Sequence, residues 1–175
     1  ITERYTGLVR SDCDTCIAHA IEACDLLLFG TIKKPSEKVM LSYLKKFSVF
    51  ANNIKSPTKN VIMYIIDNKI HYKYSEEHVN MFNTQEIKDI VLKYPEFIKA
   101  ISNSKQTDEL CKIALKNTET LDGIKIFNDE IVDIVFNNSN LLSDIDMIPS
   151  QFLTQDRLIK GFKINPICIK YITSL

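Results

Sequence analysis

Four stretches in the second half of the chain restate one phrase: VLKYPEFIKAI (91–101), ALKNTETLDGI (114–124), VFNNSNLLSDI (135–145) and FKINPICIKYI (162–172). A phrase that recurs with little more than its apolar positions held marks a repeated supersecondary unit. Such a unit cannot bury its hydrophobic face alone and must stack on its neighbours. Reading backward lengthens the unit. Thr84, Thr107 and Asn128 open TQEI, TDEL and NDEI, and Thr154 opens TQDRL with one residue inserted. Each reads as a helix N-cap followed by acidic or amide residues, because the first turn has open N–H groups and the helix dipole favours negative charge there. The buried face follows: Ile87, Leu110, Ile131 and Leu158, then four residues later Val91, Ala114, Val135 and Phe162.

Each helix stops at an equivalent place, with Asn117, Asn138 and Asn165 at the turn and Tyr94 there in the first unit. Asparagine tolerates the left-handed conformation that ends many helices. Pro95 and Pro166 then suit the first position of a new, short helix. That helix is expected to bury Ile98, Leu121, Leu142 and Ile169, then Ile101, Ile124, Ile145 and Ile172. The spacing between units is uneven because the segments 102–106, 125–127 and 146–153 differ in length. The reading is an array of about four long-helix/short-helix units. Its last unit is exposed, covered by a partner, or cut from a longer array; residue 1 is Ile rather than Met, which suggests a piece of a longer chain.

Units such as DMIPSQFLTQDRLIKGFKINPICIKYI (146–172) and KQTDELCKIALKNTETLDGI (105–124) resemble uncharacterised helical repeats found in proteins of large DNA viruses and some bacteria. The resemblance covers residues 84–172, rests on apolar and cap positions, and implies an interaction scaffold with no chemistry of its own. The Asn-Pro turn is complete only at Asn165-Pro166. The richness in Ile, Lys, Asn, Phe and Tyr fits an AT-rich genome and points the same way.

The first half reads differently. SDCDTCIAHAIEACDLLLFG (11–30) predicts a helix, with Ser11 and Asp14 as a capping box and Gly30 as its stop. Cys13, Cys16, Ile17, Ala20, Ile21, Cys24, Leu27 and Leu28 form its apolar stripe. Cys13-x-x-Cys16 with His19 and Cys24 also has the look of a zinc or redox site. On one helix the three cysteines fall within the stripe, His19 points off it, and no second Cys/His pair lies nearby. The core reading is preferred, with the three thiols buried and unbridged. PSEKVMLSYLKKFSVFANN (35–53) predicts a second helix capped by Ser36, burying Val39, Met40, Tyr43, Leu44, Phe47, Phe50 and Ala51. VIMYII (61–66), DNK (67–69) and IHYKYS (70–75) predict a β-hairpin, because two β-branched or aromatic runs flank a turn containing Asn68. A helix through the first run is the competing outcome.

Residues 1–80 are therefore read as two helices plus the hairpin, and residues 81–175 as the repeat array packed on them: a mainly α fold. Lys plus Arg and Asp plus Glu both number 22, and only Arg4, Arg10 and Arg157 are arginine. Nucleic-acid binders carry a basic excess, and arginine is the residue that reads phosphate, so that partner is disfavoured. No apolar run spans a bilayer, and five cysteines without a disulfide pattern favour a reducing, cytoplasmic setting. Four scattered glycines offer no phosphate-cradling loop, and the metalloprotease, nucleophile-elbow and calcium-loop motifs are missing. SEEH (75–78) reads as a capped helix start, SDIDMIP (143–149) as a polar inter-unit segment rather than a cation site, and Cys111 as a packed thiol. No catalytic, cofactor or metal residue is assigned. The expected function is a non-enzymatic protein–protein interaction module, viral or intracellular bacterial, with another protein as its partner. The alternatives are a structural part of a larger, virion-like assembly and a thiol- or zinc-dependent protein using Cys13, Cys16 and Cys24.

Overall fold

The computed structural model describes residues 14–22 and 26–172, and they are mainly helical, with no strand among them. Cys13 and Cys24, and the side chains of Cys16 and Ile172, lie outside the described residues. So does the expected burial of those cysteines. The chain divides into two compact units between Lys73 and Tyr74, ahead of the SEEH turn rather than behind it.

In the first unit, α1 (Asp14–Glu22) buries Ile17, Ala18 and Ile21 and packs on α3 (Glu37–Phe47). Between them α2 (Leu26–Thr31) runs through Gly30, which is not its stop. The Phe29 ring stacks on Tyr43, centroids 3.8 Å apart. Ser36 caps α3 as expected, its hydroxyl accepting the Val39 N–H. The helix does not reach residue 53: a 3-10 segment, Ser48–Asn53, takes over, burying Ala51 and leaving Phe50 exposed.

The hairpin is corrected. Lys59–Asp67 is a helix, α4, capped by Thr58, whose side chain accepts the Val61 N–H. Val61, Ile62, Ile65 and Ile66 are buried, the i, i+1, i+4, i+5 set of a helix packed on α3. Glu37 joins the two first turns, accepting from Thr58 Oγ1 and from Asn60 Nδ2 at 3.0 Å, and the Thr58 bond lowers its pKa. The misread turn is a helix C-cap. Lys69 N–H donates to Ile66 O, and Ile70 N–H to Ile65 O at 2.9 Å, with Lys69 at φ 52°. This is a Schellman motif with lysine at its left-handed position. The alternation in IHYKY is real, with Ile70 and Tyr72 buried and His71 and Lys73 exposed. Its partners are not a second strand, though: Tyr72 OH donates to Ile54 O and Lys73 N–H to Asn52 Oδ1, at the end of the 3-10 segment. Glycine carries no Cβ penalty at positive φ, so Lys69→Gly is expected to raise stability by about 0.5–1 kcal/mol. Urea denaturation would measure it, and a loss would contradict the motif.

The second unit opens with α5 (Glu76–Val79), where Ser75 N–H donates to Nδ1 of the buried His78 at 2.9 Å. Burial holds the His78 pKa below its ordinary value, against the pull of Glu77. The unfolded chain takes up this proton near pH 6.5, about its ordinary value, and the folded chain only at lower pH. The His78 contribution is therefore fully present above the unfolded pKa and lost as pH falls through the lowered one. The expected result is a smaller fall in Tm from about pH 7.5 to about pH 5 in His78→Gln, which keeps a capping-box side chain, than in wild type. Equal falls would contradict it.

Four longer helices follow: α6 (Thr84–Lys93), α7 (Asp108–Asn117), α8 (Asp129–Phe136) and α9 (Gln155–Ile164). Thr107, Asn128 and Thr154 cap the last three. The cap of α6 is Asn83, not Thr84, because Asn83 and Glu86 close a reciprocal capping box at 2.8 and 2.9 Å. Each of these helices packs on the next. Pro95 starts the 3-10 segment Pro95–Ala100, and Pro166 starts Pro166–Cys168, which runs into α10 (Ile169–Ile172). A further 3-10 segment spans Leu141–Met147. Residues 118–124 form no helix; they turn at Gly123, φ 92°.

The asparagines do not end helices in left-handed geometry, since Lys69 is the one non-glycine residue at positive φ among those described. Asn117 and Asn137 instead fold their side-chain N–H back onto Ile113 O and Asp133 O, four residues earlier, and Asp133 O also accepts the Asn137 backbone N–H. Ile90, Val91, Leu110, Ala114, Ile131, Val135 and Leu158 are buried, whereas Ile87 is half-buried. Two positions expected inside are open: Phe162 and Ile169. In α9 the inward place is taken by Gly161, where an added Cβ would lie 2.9 Å from the Phe136 ring and 3.0 Å from Cys168 Sγ. The backbone approaches so closely only because glycine stands there.

Candidate functional site

Successive helices of the second unit are joined on their polar side by charged groups one step apart. Lys88 Nζ reaches Glu109 Oε2 at 2.5 Å, and Lys112 pairs with Glu130. In both, a mid-helix lysine meets an acid in the first turn of the following helix. The sign reverses at the last step, where Arg157 of α9 reaches back to Asp129 Oδ1 at 2.9 Å and Asp133 Oδ1 at 3.0 Å. Exposed pairs of this kind are worth about 0.2–1 kcal/mol each. They set register more than stability.

The turns between helices are joined by more protected groups. Gln106, 5% exposed, donates from Nε2 to Gly123 O at 2.6 Å and to Ile98 O and Ile101 O at 3.3 Å. Its Oε1 accepts Lys125 N–H at 2.9 Å and faces Cys111 Sγ at 3.5 Å. Gly123 lies so close to Lys99 that an added Cβ would sit 2.9 Å from its Cα. One step on, the Asp144 carboxylate accepts from Thr120 Oγ1 at 2.6 Å and from Leu121 N–H at 2.9 Å, and the Thr120 bond lowers its pKa. A step further, Asn165 Nδ2 donates to Ser139 O, and Tyr171 OH bonds Asp146, which pushes the phenol up to about 12.

Apart from Cys13, Cys24 and the Cys16 side chain, which lie outside the described residues, the residues the sequence offered as chemistry have structural places. Asp144 and Asp146 of SDIDMIP hold neighbouring turns together. Glu76 and Glu77 stand in the first turn of α5 beside the buried His78. Cys111 is fully buried and its thiol is pushed up to about 11 by burial; Cys168 is buried and shifted the same way. A thiol held that high supplies little thiolate near neutral pH. Among the described residues no three His, Cys, Asp or Glu side chains stand together as metal ligands, and no helix is long and apolar enough to cross a membrane.

Sequence reading missed Gln106, although a signal was present. The residue before each cap is Phe82, Gln106, Phe127 and Leu153. One polar residue at a position otherwise apolar marks a buried polar contact.

Among the described residues two apolar surfaces stand out as open. The first unit carries a groove of about 920 Å³ with Phe29, Tyr43 and Phe50 among its lining and Lys33, Lys34 and Lys55 beside them. The second unit also has an open outer face on α9 and α10, where Ile159 is 40%, Phe162 38% and Ile169 52% exposed. At the equivalent places of α7 and α8 and the turns after them, Cys111, Ala114 and Leu121, and Val132, Val135 and Leu142, are all 0% exposed. α7 and α8 each have a following helix packed on them. Comparisons with protein-family models, with curated proteins and with solved structures found no match to the chain.

Proposed function

We propose that the chain is a non-enzymatic protein-interaction module whose second unit is an array of four helical repeats, of the kind that the resemblance to viral and bacterial repeats implies. One observation carries the reading. Consecutive helices and turns supply each other's missing polar partners, as Gln106 does for Gly123 and Lys125 and Asp144 does for Thr120 and Leu121. An element completed by its neighbour is the unit of a stacked array, and such arrays work by presenting long surfaces to other proteins. Among the described residues Asp144 and Asp146 are committed to turns, His78 to a capping box and Cys111 and Cys168 to the core.

The test is affinity capture from host-cell lysate with the full chain and with a Lys160→Glu/Lys163→Glu variant, scored by quantitative mass spectrometry. Proteins enriched by the wild type over an unrelated helical control are expected. No enrichment in either sample would count against an interaction role. Bound zinc, or fast labelling of Cys13 and Cys16 in the native chain, would favour the thiol reading instead.

A further inference from the structure

We propose that the outer face of α9 and α10 docks one amphipathic helix of a partner protein, and that this helix carries Asp or Glu in its first turn. The proposal rests on the repeat reading above and names the partner's chemistry. The apolar part of the argument is positional. Ile159, Phe162 and Ile169 occupy places that are closed in the preceding two units and open only here. A helix laid across α9, as each preceding helix is laid against its neighbour, would cover them.

The charge part selects the occupant. Lys160 stands two residues after Leu158, as Lys112 stands two after Leu110, and Lys112 is paired with Glu130 in the first turn of the next helix. Lys88 makes the same kind of bond to Glu109. Lys160 and Lys163 are exposed, and among the described residues neither has an acidic partner. Both lysines border Ile159 and Phe162 on the helix surface. A helix with first-turn acids and an apolar i, i+3, i+4 stripe matches this face in both respects. A second copy set face to face matches poorly, because it brings two Lys160/Lys163 patches of like charge into one interface.

The experiment titrates the full chain into a fluorescent, helix-stapled peptide carrying residues 126–138, the segment that follows α7 in the chain and bears Asp129 and Glu130 in its first turn. A second peptide has both acids changed to lysine. The acidic peptide is expected to bind at least ~10-fold more tightly than the basic one. Lys160→Glu/Lys163→Glu should invert that preference, and Phe162→Asp should abolish both while the circular dichroism spectrum stays unchanged. Equal binding of both peptides, absence of binding, or a preference that survives the charge swap would overturn the proposal. A mass in sedimentation velocity that rises with concentration and falls back in Phe162→Asp would make the occupant a second copy and overturn it too. Lysate capture separates the two levels. Partners retained equally by wild type and the Lys160→Glu/Lys163→Glu variant would sink the docking face and leave the interaction role standing.

Discussion

Gln106→Leu is expected to destabilise the second unit by about 3–5 kcal/mol, although it preserves most of the side-chain volume. The reason is what it leaves behind. Gly123 O and Lys125 N–H both depend on this side chain, and Ile98 O and Ile101 O share it at longer range. A buried polar group stripped of its partner costs about 1–3 kcal/mol, and leucine strips at least two. No cavity contributes, so the loss measures the polar seam alone. Lys116, exposed on α7, is the control: Lys116→Ala should cost under about 0.5 kcal/mol. Urea denaturation followed by circular dichroism gives both values. A Gln106→Leu loss below about 1 kcal/mol would mean that the turns hold without the amide.

The second large effect concerns the apolar core. Ile145 is fully buried and Ile124 is 6% exposed, so each truncation to alanine should cost about 2–4 kcal/mol through lost transfer energy plus a residual cavity. Ile169 fills the corresponding phrase in the last unit but is 52% exposed, and Ile169→Ala should cost less than about 1 kcal/mol. The contrast between Ile145 and Ile169 is the prediction, since composition alone gives both the same loss. Negligible losses at Ile124 and Ile145 would remove the repeated phrase as an explanation of the fold.

What the sequence disclosed follows from which signals are local. N-caps are written in adjacent residues, so Ser36, Thr107, Asn128 and Thr154 were readable. Thr84 was misplaced by one residue because Asn83 is an equally good cap and Glu86 completes its box. The hairpin failed for a related reason. VIMYII has the same β-branched content in a strand as in a buried helix, and DNK serves a hairpin turn or a Schellman cap equally well. Thr58, three residues before Val61, was the signal for the helix. The analogy with the earlier phrases fails at Phe162 and Ile169, which are open where Ala114, Val135, Leu121 and Leu142 are buried. The seams through Gln106 and Asp144 join residues 17 and 24 positions apart in sequence, beyond the reach of any periodicity.

The central proposal is that the second unit is a stack in which the outer face of α9 and α10 is open, and native-state hydrogen exchange tests that directly. Nearest-neighbour coupling gives interior elements two stabilising interfaces and the terminal one a single interface. Amides of α7 and α8 should therefore open with a free energy higher than those of α9 and α10 by about 1–2 kcal/mol or more. The acidic helix peptide should raise protection in α9 and α10 first. One common opening free energy from α6 through α10, unchanged by the peptide, would contradict the account.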